Sequence, residues 1–527
     1  MSVWAWIGIG FGAFLVIVAI HDLTQKKHAV LRNFPIIGHF RYWLEAIGPE
    51  LRQYIVTDND EERPFSRDQR RWVYASAKRE NNYFGFGTDN DIERAGYILV
   101  RHSAFPLHTP HEGEPDFDPA HKLPALRALG GWRKRKHAFV PASIVNTSAM
   151  SFGSLSSAAV EAINKGVAIA GALQNTGEGG ISDYHRHGGE LIWQIGTGYF
   201  GARDMKTGAF SMEKLLESVA SAKVKAIEIK LSQGAKPGLG GVLPRAKITP
   251  EISRIRGISM DIDCISPANH TAFSDVSSML DFIERIADAT GLPVGIKSAV
   301  GDMQFWADLA DQIDRTKRAP DWIAIDGGEG GTGAAPLVFS DHVALPFKLG
   351  FTQVYRTFAE RGVHHNVMFI GSGKLGFPET ALLALAFGCD MINVGREAMM
   401  AVGCIQAQRC HTGHCPTGVA TQNRWLMRGL DPTLKAVRLA NYLATLRMDL
   451  LSLSHATGRP HPSLVPLDAI DLVDSNTHTR SARDAFGYQP GWGLPPEEDM
   501  IAALSSHAAR TAKGHGSSRE SVREAAP

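Results

Sequence analysis

The sequence predicts an α/β fold: a (β/α)8 TIM barrel preceded by a mixed N-terminal cap and one N-terminal transmembrane helix. Three observations carry that expectation. Eight short apolar or β-branched runs alternate with helix-compatible segments between residues 140 and 395. The exceptional polar and glycine residues follow those runs, on the face where barrel enzymes hold their chemistry. The chain also opens on an uncharged apolar stretch long enough, if slightly extended, to cross a bilayer.

That stretch, VWAWIGIGFGAFLVIVAI at residues 3–20, lacks the basic leader and small-residue cleavage site of a signal peptide, so an uncleaved anchor over 1–22 is expected. Lys26, Lys27, Arg32 and Arg41 all follow it. Positive-inside asymmetry then leaves a single-pass protein of the cell membrane with its body in the cytoplasm. A reducing compartment agrees with only five cysteines, too few and too uneven for a disulfide framework. The 55 basic and 54 acidic side chains nearly cancel, which argues against nucleic acid and for a small ligand.

Residues 23–131 show no sustained period and read as the mixed cap; the basic run WRKRKH at 132–137 reads as a solvated lead-in. Strands are expected at 140–145, 172–176, 191–196, 226–231, 293–297, 322–326, 367–371 and 391–395. Helices are expected at 154–170, 212–222, 276–289, 303–313, 351–360 and 378–387, with Ser154 and Asp275 as caps. The connections after the second and eighth strands are not assigned. A doubly wound open sheet would share this local rhythm, but eight strands favour closure. The barrel is expected over 132–460 and an extension over 461–527, with 511–527 disordered. Residues 232–275 form one long excursion, of the kind that covers a site.

Gly371-Ser372-Gly373 and Gly395-Arg396, after the seventh and eighth strands, suit a phosphate held by backbone N–H groups and a guanidinium; the bland alternative is tight turns. Lys297, ending the fifth strand, would face the edge of a flavin that becomes anionic on reduction, which points from phosphate towards FMN. Cys404, Cys410 and Cys415 offer three thiolates within twelve residues. Spacing alone leaves an iron–sulfur cluster and a zinc completed by His411 or His414 equally open.

Five separated motifs then resemble the FMN-binding synthase domain of glutamate synthases: SAMSFGSLS at 148–156, NTGEGG at 175–180, QGAKPGLGG at 233–241, GGTGAAP at 330–336 and CIQAQRCHTGHCPTGVATQ at 404–422. The resemblance covers about residues 139–425 and implies FMN together with a [3Fe-4S] cluster on Cys404, Cys410 and Cys415. It implies FMN contacts from Ser151, Asn175, Gln194, Lys230, Lys297, Asp326, Gly327, Gly371, Gly373, Gly395 and Arg396. It further implies reduction of an imine, made from 2-oxoglutarate and ammonia or an amine, with an electron donor such as ferredoxin or a reductase subunit. Lys236 and Arg256 would hold the substrate carboxylates, Ser274 would assist, and Glu178 would bind ammonium or move a proton if burial raises its pKa. A carboxylate that merely fixes its loop through backbone N–H groups is the competing reading of Glu178.

Three departures qualify this. Leu239 and Val242 stand where the family has glutamate and glutamine, which puts substrate identity in question. No nucleophilic N-terminal cysteine or glutaminase domain is expected, and the residues after the cluster motif leave no room for the family's C-terminal β-helix. Two other functions therefore stand beside the first. One is a related flavin oxidoreductase with another substrate and a membrane electron-transfer partner; the other is a tethered, non-catalytic cofactor module.

Overall fold

A computed structural model describes residues 2–57, 59, 62–83, 85–114, 117–475 and 477–505. The expected disorder at 511–527 lies outside them. The chain divides into two compact units, Met1–Arg70 and Arg71–Pro527. In the first, the helix Val3–Thr24 is apolar on every side, and by length and composition it can cross a membrane. Shorter helical pieces follow at Ala29–Asn33, Gly38–Leu51 and Arg52–Val56.

The second unit contains a closed barrel of eight parallel strands: β1 (Val145–Thr147), β2 (Leu173–Asn175), β3 (Glu190–Ile195), β4 (Val224–Lys230), β5 (Val294–Ser298), β6 (Trp322–Asp326), β7 (Met368–Ser372) and β8 (Met391–Val394). Pairing of Ile392 with Val145 closes the ring between β8 and β1. Seven strands overlap the expected runs closely. The first does not: residues 139–143 run back along the preceding segment, with bridges from Phe139 to Leu129 and from Ser143 to Leu123, and Val140 is exposed. Pro141 has no N–H to give a ladder, so the barrel strand begins only at Val145.

Capping chemistry sets the helix starts. Ser156 rather than Ser154 caps Ser157–Ala170, accepting from the Ala159 N–H at 3.1 Å, while Ser154 accepts from the Ser151 hydroxyl. Asp275 caps Val276–Thr290 as expected, at 2.8 Å from the Ser278 N–H. After β2 there is only the 3-10 turn Asp183–His185. After β8 come the short helix Arg396–Ala401, the cysteine segment and the long helix Pro432–Ala456, which packs on Ser157–Ala170. Gly166 permits that packing, because a Cβ there would lie 2.9 Å from the Ala436 carbonyl and from Leu439.

The barrel interior carries polar groups among its apolar layers. Glu228 of β4, fully buried, accepts from the Asn175 amide of β2 at 2.8 Å, the Gln194 amide of β3 at 2.7 Å and the Trp322 indole of β6 at 3.2 Å. The indole reaches it because β5 carries Gly295, where a Cβ would stand 2.1 Å from the Trp322 ring. Gly295→Ala therefore overpacks the barrel axis. Urea unfolding of the variant should show a loss of about 3 kcal/mol, and an unchanged midpoint would refute this account of the interior.

Candidate functional site

The ends of β2 to β5 and the excursion after β4 place charged groups together at the C-terminal mouth. Glu178 follows β2 and pairs with Lys230 at the end of β4, Oε1 to Nζ 3.1 Å. Lys236 and Arg256, both buried, belong to the excursion and act electrostatically on the same carboxylate. Two glycines make room for it: a Cβ at Gly196 would lie 2.6 Å from Oε2, and one at Gly241 2.3 Å from Oε1. Burial pushes Glu178 upward, but Lys230, Lys236 and Arg256 outweigh it and hold the carboxyl below its usual range. The raised pKa that a proton-moving Glu178 requires is thus not found.

Burial, with Lys230 as a like-charged neighbour, pushes Lys236 down to about 8. Arg256 donates through Nη2 to the Phe152 carbonyl at 2.8 Å and to Ser151 Oγ at 3.4 Å, and its guanidinium lies over Phe200. Glycines at 153 and 179 leave space beside that Nη2. Ser274 stands elsewhere in the local structure: it is exposed, and its N–H donates to Ser278 Oγ at the start of Val276–Thr290.

A second group joins β5, β6 and β7. Lys297 Nζ lies 3.4 Å from Asp326 Oδ2, which also accepts from the Gly234 N–H at 3.0 Å, while Oδ1 accepts from Ser372 Oγ at 2.8 Å. Burial raises Asp326, but Lys297 and these donors hold it low. The Gly327 N–H donates to the Ser372 carbonyl at 2.8 Å, and Gly373, whose φ of 130° disfavours any side chain, lies beside it, where a Cβ would stand 3.1 Å from the Gly327 nitrogen. Arg396 donates to the Glu329 carbonyl and passes close to Gly331. Gly371 faces outward instead, where a Cβ would meet Leu375, Phe347 and Cys389, so packing alone demands its small size.

Cys404, Cys410 and Cys415 affect one another's ionisation, which places the three thiols in one neighbourhood. Burial pushes Cys404 up to about 12, whereas the Ala420, Thr417 and Val419 backbone groups and the Thr417 hydroxyl outweigh burial at Cys415 and lower it. The Gln406 N–H reaches Cys404 Sγ at 3.4 Å. Among the described residues no group of three or more His, Cys, Asp or Glu side chains is disposed to hold a metal ion.

Sequence reasoning missed Tyr199 and His270. His270 Nε2 donates to the Lys230 carbonyl at 2.9 Å, which makes Nδ1 the acceptor for the Tyr199 hydroxyl at 3.1 Å. That hydroxyl accepts from the Thr271 and Ala272 N–H groups, tying the returning excursion to the loop after β3. Burial pushes His270 down to about 4. The only signal was the glycine-flanked GTGYFG at 196–201, where Tyr199 takes a φ of 49°.

Comparison with known proteins bears on this constellation. Residues 133–459 match the conserved region in glutamate synthase. The chain is 38% identical over 474 residues to the glutamate synthase large subunit-like protein YerD of Bacillus subtilis, covering 84% of this chain and 90% of that one. It is 36% identical over 313 residues to the archaeal glutamate synthase (NADPH) of Methanocaldococcus jannaschii, covering 59% of this chain and 58% of that protein. Among solved structures, a mandelate oxidase mutant with a monooxide FMN adduct overlays at a TM-score of 0.40 and 15% identity, covering 69% of this chain and 85% of that one, too loosely to bear on chemistry. With the family's conserved region matched along more than half its length, the chain belongs to the glutamate synthase family.

Proposed function

We propose that this chain is an FMN- and iron–sulfur-dependent oxidoreductase that reduces the imine of a 2-oxo acid, formed with ammonia or an amine, to an amino acid. One observation carries the reading. Lys230, Lys236 and Arg256 surround the single carboxylate of Glu178, leaving two positive charges uncompensated, the complement of a dicarboxylate such as 2-oxoglutarate. Burying such an excess without a ligand is costly, and an anionic substrate offsets it.

FMN, when bound, supplies the hydride, and a [3Fe-4S] cluster on Cys404, Cys410 and Cys415 relays single electrons from a donor such as ferredoxin or a reductase subunit. The chain's residues do the rest. Lys236 and Arg256 fix the carboxylates and so orient the imine carbon. Glu178, held ionised, offers acceptor oxygens to ammonium or the iminium nitrogen. The glycine backbones at 327, 373 and 395 and the Arg396 guanidinium suit the cofactor phosphate, and Lys297 suits the flavin edge. Ser151 would supply a polar group beside the ring, while the amide nitrogens of Asn175 and Gln194 already donate to Glu228 inside the barrel. The hydride that forms the new C–H bond at the imine carbon would come from reduced FMN, and solvent would supply the proton taken up by its nitrogen, since Glu178 is held ionised.

A second reading has its own support. Val242 follows Gly241, which abuts Glu178, and pairs with exposed Ile265, while Leu239 is exposed beside the Lys236 turn. Apolar groups at these points favour a less polar 2-oxo acid, with electrons exchanged at a membrane. The helix Val3–Thr24 is proposed as the span and Lys26, Lys27, Arg32 and Arg41 as its cytoplasmic flank.

Three outcomes test these proposals. In anaerobic photoreduced protein, 2-oxoglutarate with ammonium should reoxidise the flavin bands quickly and either alone should not; no reoxidation by the pair would remove the glutamate assignment. Lys236 is charged below its pKa, so kcat/KM for a dianionic substrate should hold below pH of about 8 and fall roughly tenfold per unit above it. Lys236→Arg should abolish that fall, and a wild-type profile flat through pH 9 or so would exclude the role. Finally, Cys404→Ser, Cys410→Ser and Cys415→Ser should each lose iron by elemental analysis; zinc in place of iron in the parent protein would overturn the cluster.

A further inference from the structure

The first unit holds an apolar surface that a membrane span alone does not explain. Phe34, Ile37, Phe40, Trp43, Leu44 and Leu51 are each at least 39% exposed. At about 100° per residue, Phe40, Trp43, Leu44 and Leu51 fall in one stripe about 100° wide along the helix Gly38–Leu51. Arg41 and Glu45 lie off that stripe and bond to each other at 3.0 Å. This is the pattern of a helix lying in a bilayer interface, apolar side down.

Its depth follows from a buried contact. Asp22, near the end of Val3–Thr24 and fully enclosed, accepts from the Ile36 N–H at 2.9 Å and from His39 Nε2 at 3.0 Å. A helix of 22 residues is about 33 Å long, so with its apolar stretch across the hydrocarbon core its C-terminal end stands at the boundary with the headgroups. His39 is held at that end, and Phe40 begins the stripe one residue later. With the span so placed, Lys26, Lys27, Arg32 and Arg41, which all follow it, would meet anionic headgroups near the same level.

We propose that residues 34–51 are a second membrane element, an interfacial helix whose Phe40, Trp43, Leu44 and Leu51 face enters the cytoplasmic leaflet, locked to the span by Asp22. The inference rests on the span reading above. Its occupant is lipid, not a second copy of this chain. Buried 5–10 Å or so into the interface, Trp43 would lie near the headgroup end of the acyl chains.

The test uses the full chain reconstituted in phosphatidylglycerol–phosphatidylethanolamine vesicles, brominated either near the headgroup or near the end of one acyl chain. Trp43 is read as the emission difference between wild type and Trp43→Phe, which cancels the other nine tryptophans of the ten. The expected result is a difference emission lost with shallow bromines and retained with deep ones. A chain that floats with the vesicles while its Trp43 emission is unquenched by either lipid overturns the interfacial helix and leaves the span standing. A chain that does not float at all overturns both, through the span.

Discussion

The structure depends most on one buried carboxyl group at the barrel axis. Both oxygens of Glu228 act as acceptors for neutral donors from β2, β3 and β6. Loss of one partner leaves a buried acceptor unsatisfied, at a cost on the order of 1–3 kcal/mol. The consequence travels upward. With its amide nitrogen committed to Glu228, Asn175 turns its carbonyl oxygen to the Gly177 N–H at 3.0 Å, fixing the turn that presents Glu178 to Lys230. Gly295 belongs to the same constraint, since it admits the indole that completes the set.

Above this layer, small residues rather than large ones shape the mouth. Glu178 fits because positions 196 and 241 lack a Cβ, and the backbones at 234 and 327 meet where a Cβ would stand 1.8 Å from a carbonyl oxygen. A group thus confined cannot swing away from its cations without moving two backbones. Preorganisation of this kind keeps the excess positive charge aimed at one place before any ligand arrives.

How much of this was legible follows from what each signal was. Buried parallel strands are nearly continuous apolar runs, so seven of eight could be read directly. The first could not, because Val140, Pro141 and Val145 look alike in composition but only the last finds a barrel partner. Lys230 and Lys297 stood out as charges ending apolar runs, whereas Lys236 and Arg256 were legible only through the resemblance of the motifs around them to the family. Glu228 did not: within AIEIK it reads as one more alternating polar residue, and its meaning needs three strands that the sequence leaves 34 to 94 residues away. Ser274 shows the opposite problem, since a serine before Asp275 and Ser278 sits beside a capping box as naturally as in a substrate site.

The excursion after β4 also joins regions that the motifs treat separately. It contributes Lys236 and Arg256 beside Glu178, and His270 beneath Lys230. Between them Lys247, buried, donates to the Ala420 carbonyl at 3.1 Å and more loosely to Ser154, and it lies within electrostatic reach of Cys410 and Cys415. Gln422 adds bonds from the same cysteine segment to the Gly153 and Leu155 carbonyls, next to the loop that receives Arg256. The cysteine segment and the cationic cluster are therefore two ends of one hydrogen-bonded assembly over the barrel mouth. A change in charge among the thiols acts on a lysine in the same excursion as Lys236 and Arg256, which gives the cysteine segment a physical route to the cationic cluster.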